Sequence, residues 1–222
     1  MDEPPQSATI VDIRNVSRGR QRLVVLNDGR EFLFSDEAVE RARVAAGQVA
    51  DSAVLAELEA QEQRVAAHES ALRLLSSRPR SEREMRTRLA MRGIDPDAVD
   101  GEIERLVRAG LLDDEKFALS WVEDRKRTAP RGRRMLRYEL LGRGIEPESV
   151  DLATEDVDDR ETALELARNK SRTASLNSYE DFLGKVGAFL RRRGFDYSVA
   201  AEATRIAWAE ANEARGVQDA GT

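Results

Sequence analysis

LAMRGIDP, at residues 89–96, returns twice in altered spelling, as LLGRGIEP at 140–147 and as LRRRGFDY at 190–197. A phrase that recurs at a nearly constant step is the signature of tandem structural repeats, and repeats decide the fold before any single element does. The phrase reads as punctuation. Its glycine tolerates the left-handed conformation that closes a helix. The Asp-Pro or Glu-Pro pair behind it opens the next helix, as an N-cap followed by proline at the first helical position.

Working outward from the phrase, the match deepens. Met85, Leu89, Arg92, Gly93, Ile94, Pro96 and Val99 become, 51 residues on, Leu136, Leu140, Arg143, Gly144, Ile145, Pro147 and Val150. A further step of 50 residues gives Val186, Leu190, Arg193, Gly194 and Phe195, with Tyr197 in place of the proline. Ser81 and Glu84 have the spacing of a capping box ahead of the first copy. Val99, Ile103 and Leu106 line one face of the following helix, which ends at Gly110. Each unit therefore reads as three helices. The first helices lie near 65–77, 114–128 and 159–172; the second close at the glycine; the third start at the acid-proline pair or its substitute. Leu89, Leu140 and Leu190 are core positions. The fold class is mainly α: three tandem three-helix repeats in an elongated array.

A small β-element precedes them. Residues 10–16 and 22–26 are rich in β-branched and aliphatic side chains, Asn27-Asp28-Gly29 suits a tight hairpin turn, and 31–34 resumes an apolar run. Such a hairpin or three-stranded unit cannot stand alone and must pack on the helices behind it. Ser35 is a good N-cap for a helix over 36–46 ended by Gly47, and Asp51 for a second that runs to about residue 76. The expected division is 1–63 for the β-element with its helices, 64–112, 113–157 and 158–211 for the repeats, and 212–222 for a flexible tail without periodicity.

Charge alternates in phase with the repeats. Residues 78–92 hold six arginines against two glutamates, and 125–143 hold eight basic residues against one acid. The third helices are the reverse: residues 95–104 carry five acids and no base, and 146–159 carry seven acids and no base. Solvated helix faces account for much of this, and acids suit a helix start. The arginine-rich set as a whole, however, suits a stripe facing a polyanion or an acidic protein surface. The candidate surface is Lys126, Arg127, Arg131, Arg133, Arg134, Arg137 and Arg143. Arg80, Arg83, Arg86, Arg191 and Arg192 form a secondary basic surface. A three-helix unit invites comparison with a helix-turn-helix reader, whose last helix enters the major groove. Here the last helices of the first two units are acidic, and phosphates would repel them.

Several function classes find no support. There is no cysteine, so disulfides and thiolate metal sites are excluded, in keeping with a reducing, cytoplasmic setting. The first residues have neither the basic nor the apolar segment of a secretory signal, and no apolar run is long enough to cross a membrane. His68 is the only histidine and sits in a helix that reads as scaffold. No Gly-rich phosphate loop or nucleophile–base spacing occurs. The reading is non-enzymatic, without metal or cofactor. Trp121, Trp208 and Tyr138 could stack on bases, although helix packing is the commoner use of such residues.

Three segments, RPRSEREMRTRLAMRGI at 78–94, GLLDDEKFALSWVEDR at 110–125 and RGRRMLRYELLGRGI at 131–145, resemble the RecX family of bacterial recombination regulators. The resemblance covers roughly residues 65–210 and matches that family's tandem three-helix architecture. It implies a non-enzymatic regulator that binds RecA or the RecA–DNA filament and limits filament growth, ATP hydrolysis and strand exchange; a monomer is expected. Some members are credited with direct binding to single- or double-stranded DNA. The alternative is a nucleic-acid-binding helical module that acts independently of RecA.

Overall fold

The structure is a computed structural model that describes residues 8–16, 20–173 and 178–219. The chain divides into two units, one ending at Leu112 and one starting at Asp113.

The first unit begins with three antiparallel strands in the order β1-β2-β3: β1 Ile10–Val16, β2 Gln21–Leu26 and β3 Glu31–Ser35. The turn between β2 and β3 is the expected one. Gly29 has φ +87°, and the Leu26 N–H donates to the Arg30 carbonyl at 2.9 Å. Val24 and Leu26 alternate with more exposed neighbours and bury one face of the sheet. That face is covered by α1 (Asp36–Ala42) and the first half of α2 (Ser52–Leu75), through Ala38, Val39, Leu58 and Val65. Ser35 caps α1, and its hydroxyl and N–H both donate to the Glu62 carboxylate of α2 at 2.7 Å.

One expectation changes here. α1 stops at Ala42, where Arg43 turns left-handed at φ +53°, instead of continuing to Gly47. The segment after it is recruited by the strand edge: Ile10 N–H donates to the Gln48 carbonyl at 2.9 Å, and the Gly47 N–H to the Ile10 carbonyl at 2.8 Å. Ile10 is fully buried, so its backbone groups need partners that a longer α1 would withhold. α2 runs to Leu75 as one helix, close to the expected end near residue 76, and so crosses residue 63. Its second half, with Ala67 and Ala71, belongs to the core of the first repeat.

That repeat is completed by α3 (Glu82–Ala90) and α4 (Pro96–Arg108) around Met85, Leu89, Val99, Ile103 and Leu106. Ser81 accepts the Glu84 N–H, and Asp95 accepts the Asp97 N–H ahead of Pro96. The second unit contains the other two repeats. α5 (Asp114–Thr128), α6 (Arg133–Leu141) and α7 (Pro147–Thr154) enclose Phe117, Val122, Leu136, Leu140, Ile145 and Val150. Glu146 occupies the cap position of α7 but makes no side-chain cap bond; glutamate is a longer side chain than the short residues that cap well.

The third repeat is α8 (Asp159–Ser171), a second helix in three pieces, and α11 (Tyr197–Asp219). The pieces are α9 (Tyr179–Phe182), a π-helical turn over Leu183–Gly187, and α10 (Ala188–Arg192). α11 continues to Asp219, past residue 212 where periodicity fades; residues 220–222 of the expected tail lie outside the described residues. The recurring glycine does the same work each time: Gly93, Gly144 and Gly194 have φ of +74°, +82° and +93°. After it, the N–H groups of Ile145 and Phe195 reach back to the carbonyls of Leu140 and Leu190 at 3.2 and 3.3 Å, the long bond of a Schellman closure.

Candidate interaction surface

The alternation of basic second helices and acidic third helices is partly spent inside the first two repeats. Arg86 of α3 pairs with Asp100 of α4, and Arg137 of α6 pairs with Asp151 of α7. Both partners shift by the same 51 residues, so one ion pair is repeated. Such pairs lie at the surface, where their contribution to stability is small.

The middle repeat uses more of its arginines internally. Glu139 is largely buried between α5 and α6 and accepts from Trp121 Nε1 at 2.9 Å and Arg125 Nε at 2.8 Å. Arg131 Nε lies 3.6 Å from its other oxygen. The guanidinium carbons of Arg125 and Arg143 sit 4.1 and 3.8 Å from the centre of the Trp121 ring, a doubled cation–π contact. Trp121 is therefore committed to packing, as is Trp208 against Tyr179 and Phe182. Of the three aromatics considered for stacking, Tyr138 projects outward, 74% exposed.

The RGRR stretch at the start of α6 is a clamp within the second unit. The Gly132 N–H donates to the Arg193 carbonyl at 2.9 Å, and Arg193 Nη1 donates to the Pro130 carbonyl at 3.1 Å. The backbones touch so closely that a Cβ on Gly132 would lie 2.7 Å from the carbonyl carbon and oxygen of Gly194. Arg133 Nη2 donates to the carbonyls of Glu155 and Val157, each at 2.9 Å, just past the end of α7. Its backbone N–H donates to Asp159 Oδ1 at 2.7 Å. Burial raises the Asp159 carboxyl above the ordinary aspartate range, against the pull of that hydrogen bond and of the Arg133 charge.

Of the seven arginines and lysines expected to form one surface, Lys126, Arg127, Arg133 and Arg134 are exposed, although Arg133 is also bonded within the clamp. Lys126 meets Glu123 at 2.7 Å, Arg127 meets Asp124 at 3.3 Å, and Arg134 meets Asp196 at 3.8 Å. Arg137 is half-buried beside Asp151. Arg131 and Arg143 belong to the Glu139–Trp121 cluster, and Arg133 to the clamp. In the secondary set, Arg83, Arg191 and Arg192 are exposed, Arg86 is paired with Asp100, and Arg80 bonds the Leu74 carbonyl at 3.1 Å and the Ser77 hydroxyl at 3.2 Å.

His68 proves to be a packing histidine beside a buried carboxylate. Its Nδ1 lies 3.1 Å from Glu102 Oε1, and Arg105 donates to both Glu102 oxygens at 2.8 Å. Burial by itself would raise the Glu102 carboxyl; the hydrogen bonds and charges of Arg105 and His68 outweigh it and hold the group below the ordinary glutamate range. Nothing in the periodicity of α4 announces this buried acid.

Comparisons with known proteins agree with the repeat architecture. The family model for the first three-helix domain of RecX matches residues 67–106, and that for the second matches residues 113–153. The chain is 35% identical over 158 residues to the Regulatory protein RecX of Mycobacterium sp. (strain JLS), spanning 68% of this chain and 86% of that one. It is 37% identical over 130 residues to the Regulatory protein RecX of Chlorobium phaeobacteroides, spanning 59% and 85%. Among solved structures, a regulatory protein RecX is similar at TM-score 0.66 and 23% identity, covering 86% of this chain and 96% of that chain. RecX from Lactobacillus salivarius is similar at TM-score 0.58 and 23% identity, covering 65% and 96%. These two likenesses concern the fold alone. With both domain models matched in order on the first two repeats, and a relative matched over most of its length, the chain belongs to the RecX family.

Proposed function

We propose that this chain is a non-enzymatic regulator that binds RecA, or the RecA filament on DNA, and limits filament growth, ATP hydrolysis and strand exchange. The observation that carries the reading is membership of a family whose members are named as regulatory proteins, matched over 86% of one relative's length. It acts in the cytoplasm, as a monomer. Within the middle repeat its contact surface is the exposed part of the basic stretch, Lys126, Arg127 and Arg134, with half-buried Arg137 at its edge and Arg83, Arg191 and Arg192 as further exposed cations. Titration into RecA on single-stranded DNA tests this: ATPase and strand-exchange rates should fall as the protein co-sediments with filaments. Unchanged rates without co-sedimentation would overturn it.

The exposed arginines also favour a second reading, direct nucleic-acid binding without RecA. A salt series separates the two. Several phosphate contacts make affinity for naked DNA fall steeply with salt, and absence of binding at low salt removes this reading.

A further inference from the structure

The three repeats place different residues at one position, four before the arginine of the arginine-glycine stop. It is Arg88 in the first, Glu139 in the second and Phe189 in the third. In the second repeat Glu139 gathers Trp121, Arg125 and Arg131. In the third, Arg193 stacks on Phe189 with its guanidinium carbon 4.6 Å from the ring centre. In both repeats the residue at this position gives neighbouring arginines a partner on its flank of the second helix.

The first repeat has the arginines and lacks the partner. Arg80 and Arg92 stand where Arg131 and Arg143 stand in the second repeat, and Arg88 replaces the acid. The carboxylate nearby, Glu84, takes both guanidinium nitrogens of Arg78 at 2.9 and 3.4 Å. Arg88 and Arg92 are exposed, and among the described residues neither has an ion pair. We infer that this flank of α3, built on Arg88 and Arg92 with Arg78 and Arg80 beside them, is a docking surface for a protein that presents carboxylates.

Arg80 reports the crowding. Burial presses its guanidinium below the ordinary arginine range, and the charges of Arg78, Arg88 and Arg92 add to the effect against a partial offset from Glu84. A carboxylate entering the flank relieves that repulsion, and arginine forks meet carboxylates in bidentate geometry. The choice of a protein over a nucleic acid rests on Met91. It is 73% exposed and lies one helical step from Arg88, next to Arg92. Methionine and arginine together are enriched in the centres of protein interfaces, whereas a phosphate backbone would leave the methionine wet.

The inference deepens the proposed RecA-binding role and depends on it only for the identity of the partner. The test uses the full chain with two fluorescent probes, a poly-L-glutamate peptide and an oligothymidylate. The chain should bind the peptide, and Arg88→Gln with Arg92→Gln should weaken that binding by about tenfold or more. Arg168→Gln should leave it within about twofold, since that side chain lies in another repeat and already bonds both Glu210 oxygens at 2.8 and 2.6 Å. Arg88→Glu, which installs the acid of the second repeat, should weaken it further. Circular dichroism of each variant checks that α3 is intact. No peptide binding by the parent chain overturns the inference, as does binding indifferent to Arg88 and Arg92. So does a loss confined to the oligothymidylate, which would make the flank a nucleic-acid site. Arginine-dependent peptide binding by a chain that ignores RecA filaments upholds the inference and removes RecA as its partner.

Discussion

The first and second repeats share a backbone plan and differ in what they do with charge. Both stop their second helix at a left-handed glycine, bury a leucine at the same place, and pair an arginine of the second helix with an aspartate of the third. Beside that common frame, the second repeat closes Arg125, Arg131 and Arg143 around Glu139 and Trp121, while the first leaves Arg88 and Arg92 open. A repeat can therefore keep its core and exchange its surface through one position. Where an acid stands at that position the arginines become scaffold; where an arginine stands they remain available to a partner.

The largest effect should be blind to the difference. Leu89 and Leu140 are both fully buried, so Leu89→Ala and Leu140→Ala should each cost about 2–5 kcal/mol in urea unfolding. A large gap between the two would break the claim of a shared frame. Next, Glu139→Ala should cost about 2–3 kcal/mol, because it strips the Trp121 N–H and the Arg125 guanidinium of their acceptor in a largely buried place. The matching change in the first repeat, Arg88→Ala, should stay within about 0.5 kcal/mol, as expected of an exposed residue without an ion pair. Equal costs at the two positions would mean that the flanks are not distinct.

Gly132→Ala sharpens a further contrast, because it lies in the clamp of the second unit. The added methyl meets the backbone of Gly194 and Phe195, which cannot swing aside like a side chain, and should cost about 1–3 kcal/mol. Gly101→Ala, whose added methyl meets nothing within 4 Å, should be neutral or slightly stabilising through its higher helix propensity. Differential scanning calorimetry of the pair distinguishes a tight junction from a loose one.

The first unit also has a pH signature of its own. Glu102 has its folded pKa held below its unfolded value, so its contribution is full above the ordinary glutamate range and is lost as pH falls through the lower folded value. Glu102→Gln should therefore lower stability near neutral pH, with the difference shrinking on acidification. A difference independent of pH would show that Glu102 acts through packing and not through its charge. The smallest effects belong to the repeated surface pairs. Arg86→Ala and Arg137→Ala should each change unfolding free energy by no more than about 1 kcal/mol.

Much of the fold is legible along the chain, because helix stops, caps and core leucines act locally. A glycine at φ +74° or a serine accepting the N–H three residues on involves only neighbours in sequence. One departure has a nonlocal cause: α1 is short because residues 47–50 are taken by the edge of β1. α2 is the long helix expected, and it serves the sheet and the first repeat with its two halves. The second helix of the third repeat passes through a π turn at Leu183–Gly187, a break that the recurring phrase behind it does not announce.

The interaction surface is far less legible. Arginine density along the chain points to 126–143, and it counts Arg131, Arg133 and Arg143 with Arg127 and Arg134. Density cannot tell a guanidinium bonded to two carbonyls past a helix end from one in water, since the carbonyls of Glu155 and Val157 lie 22 and 24 residues away. The same blindness hides Arg88 and Arg92, which look no different from their neighbours until repeats are compared in space. Sequence alone carried the periodic, nearest-neighbour physics: three helical modules, their stops and starts, and the buried leucines. Only tertiary packing decided which arginines are scaffold and which are surface, because a charge is spent or free according to what the fold brings within about 4 Å of it, at whatever distance along the chain.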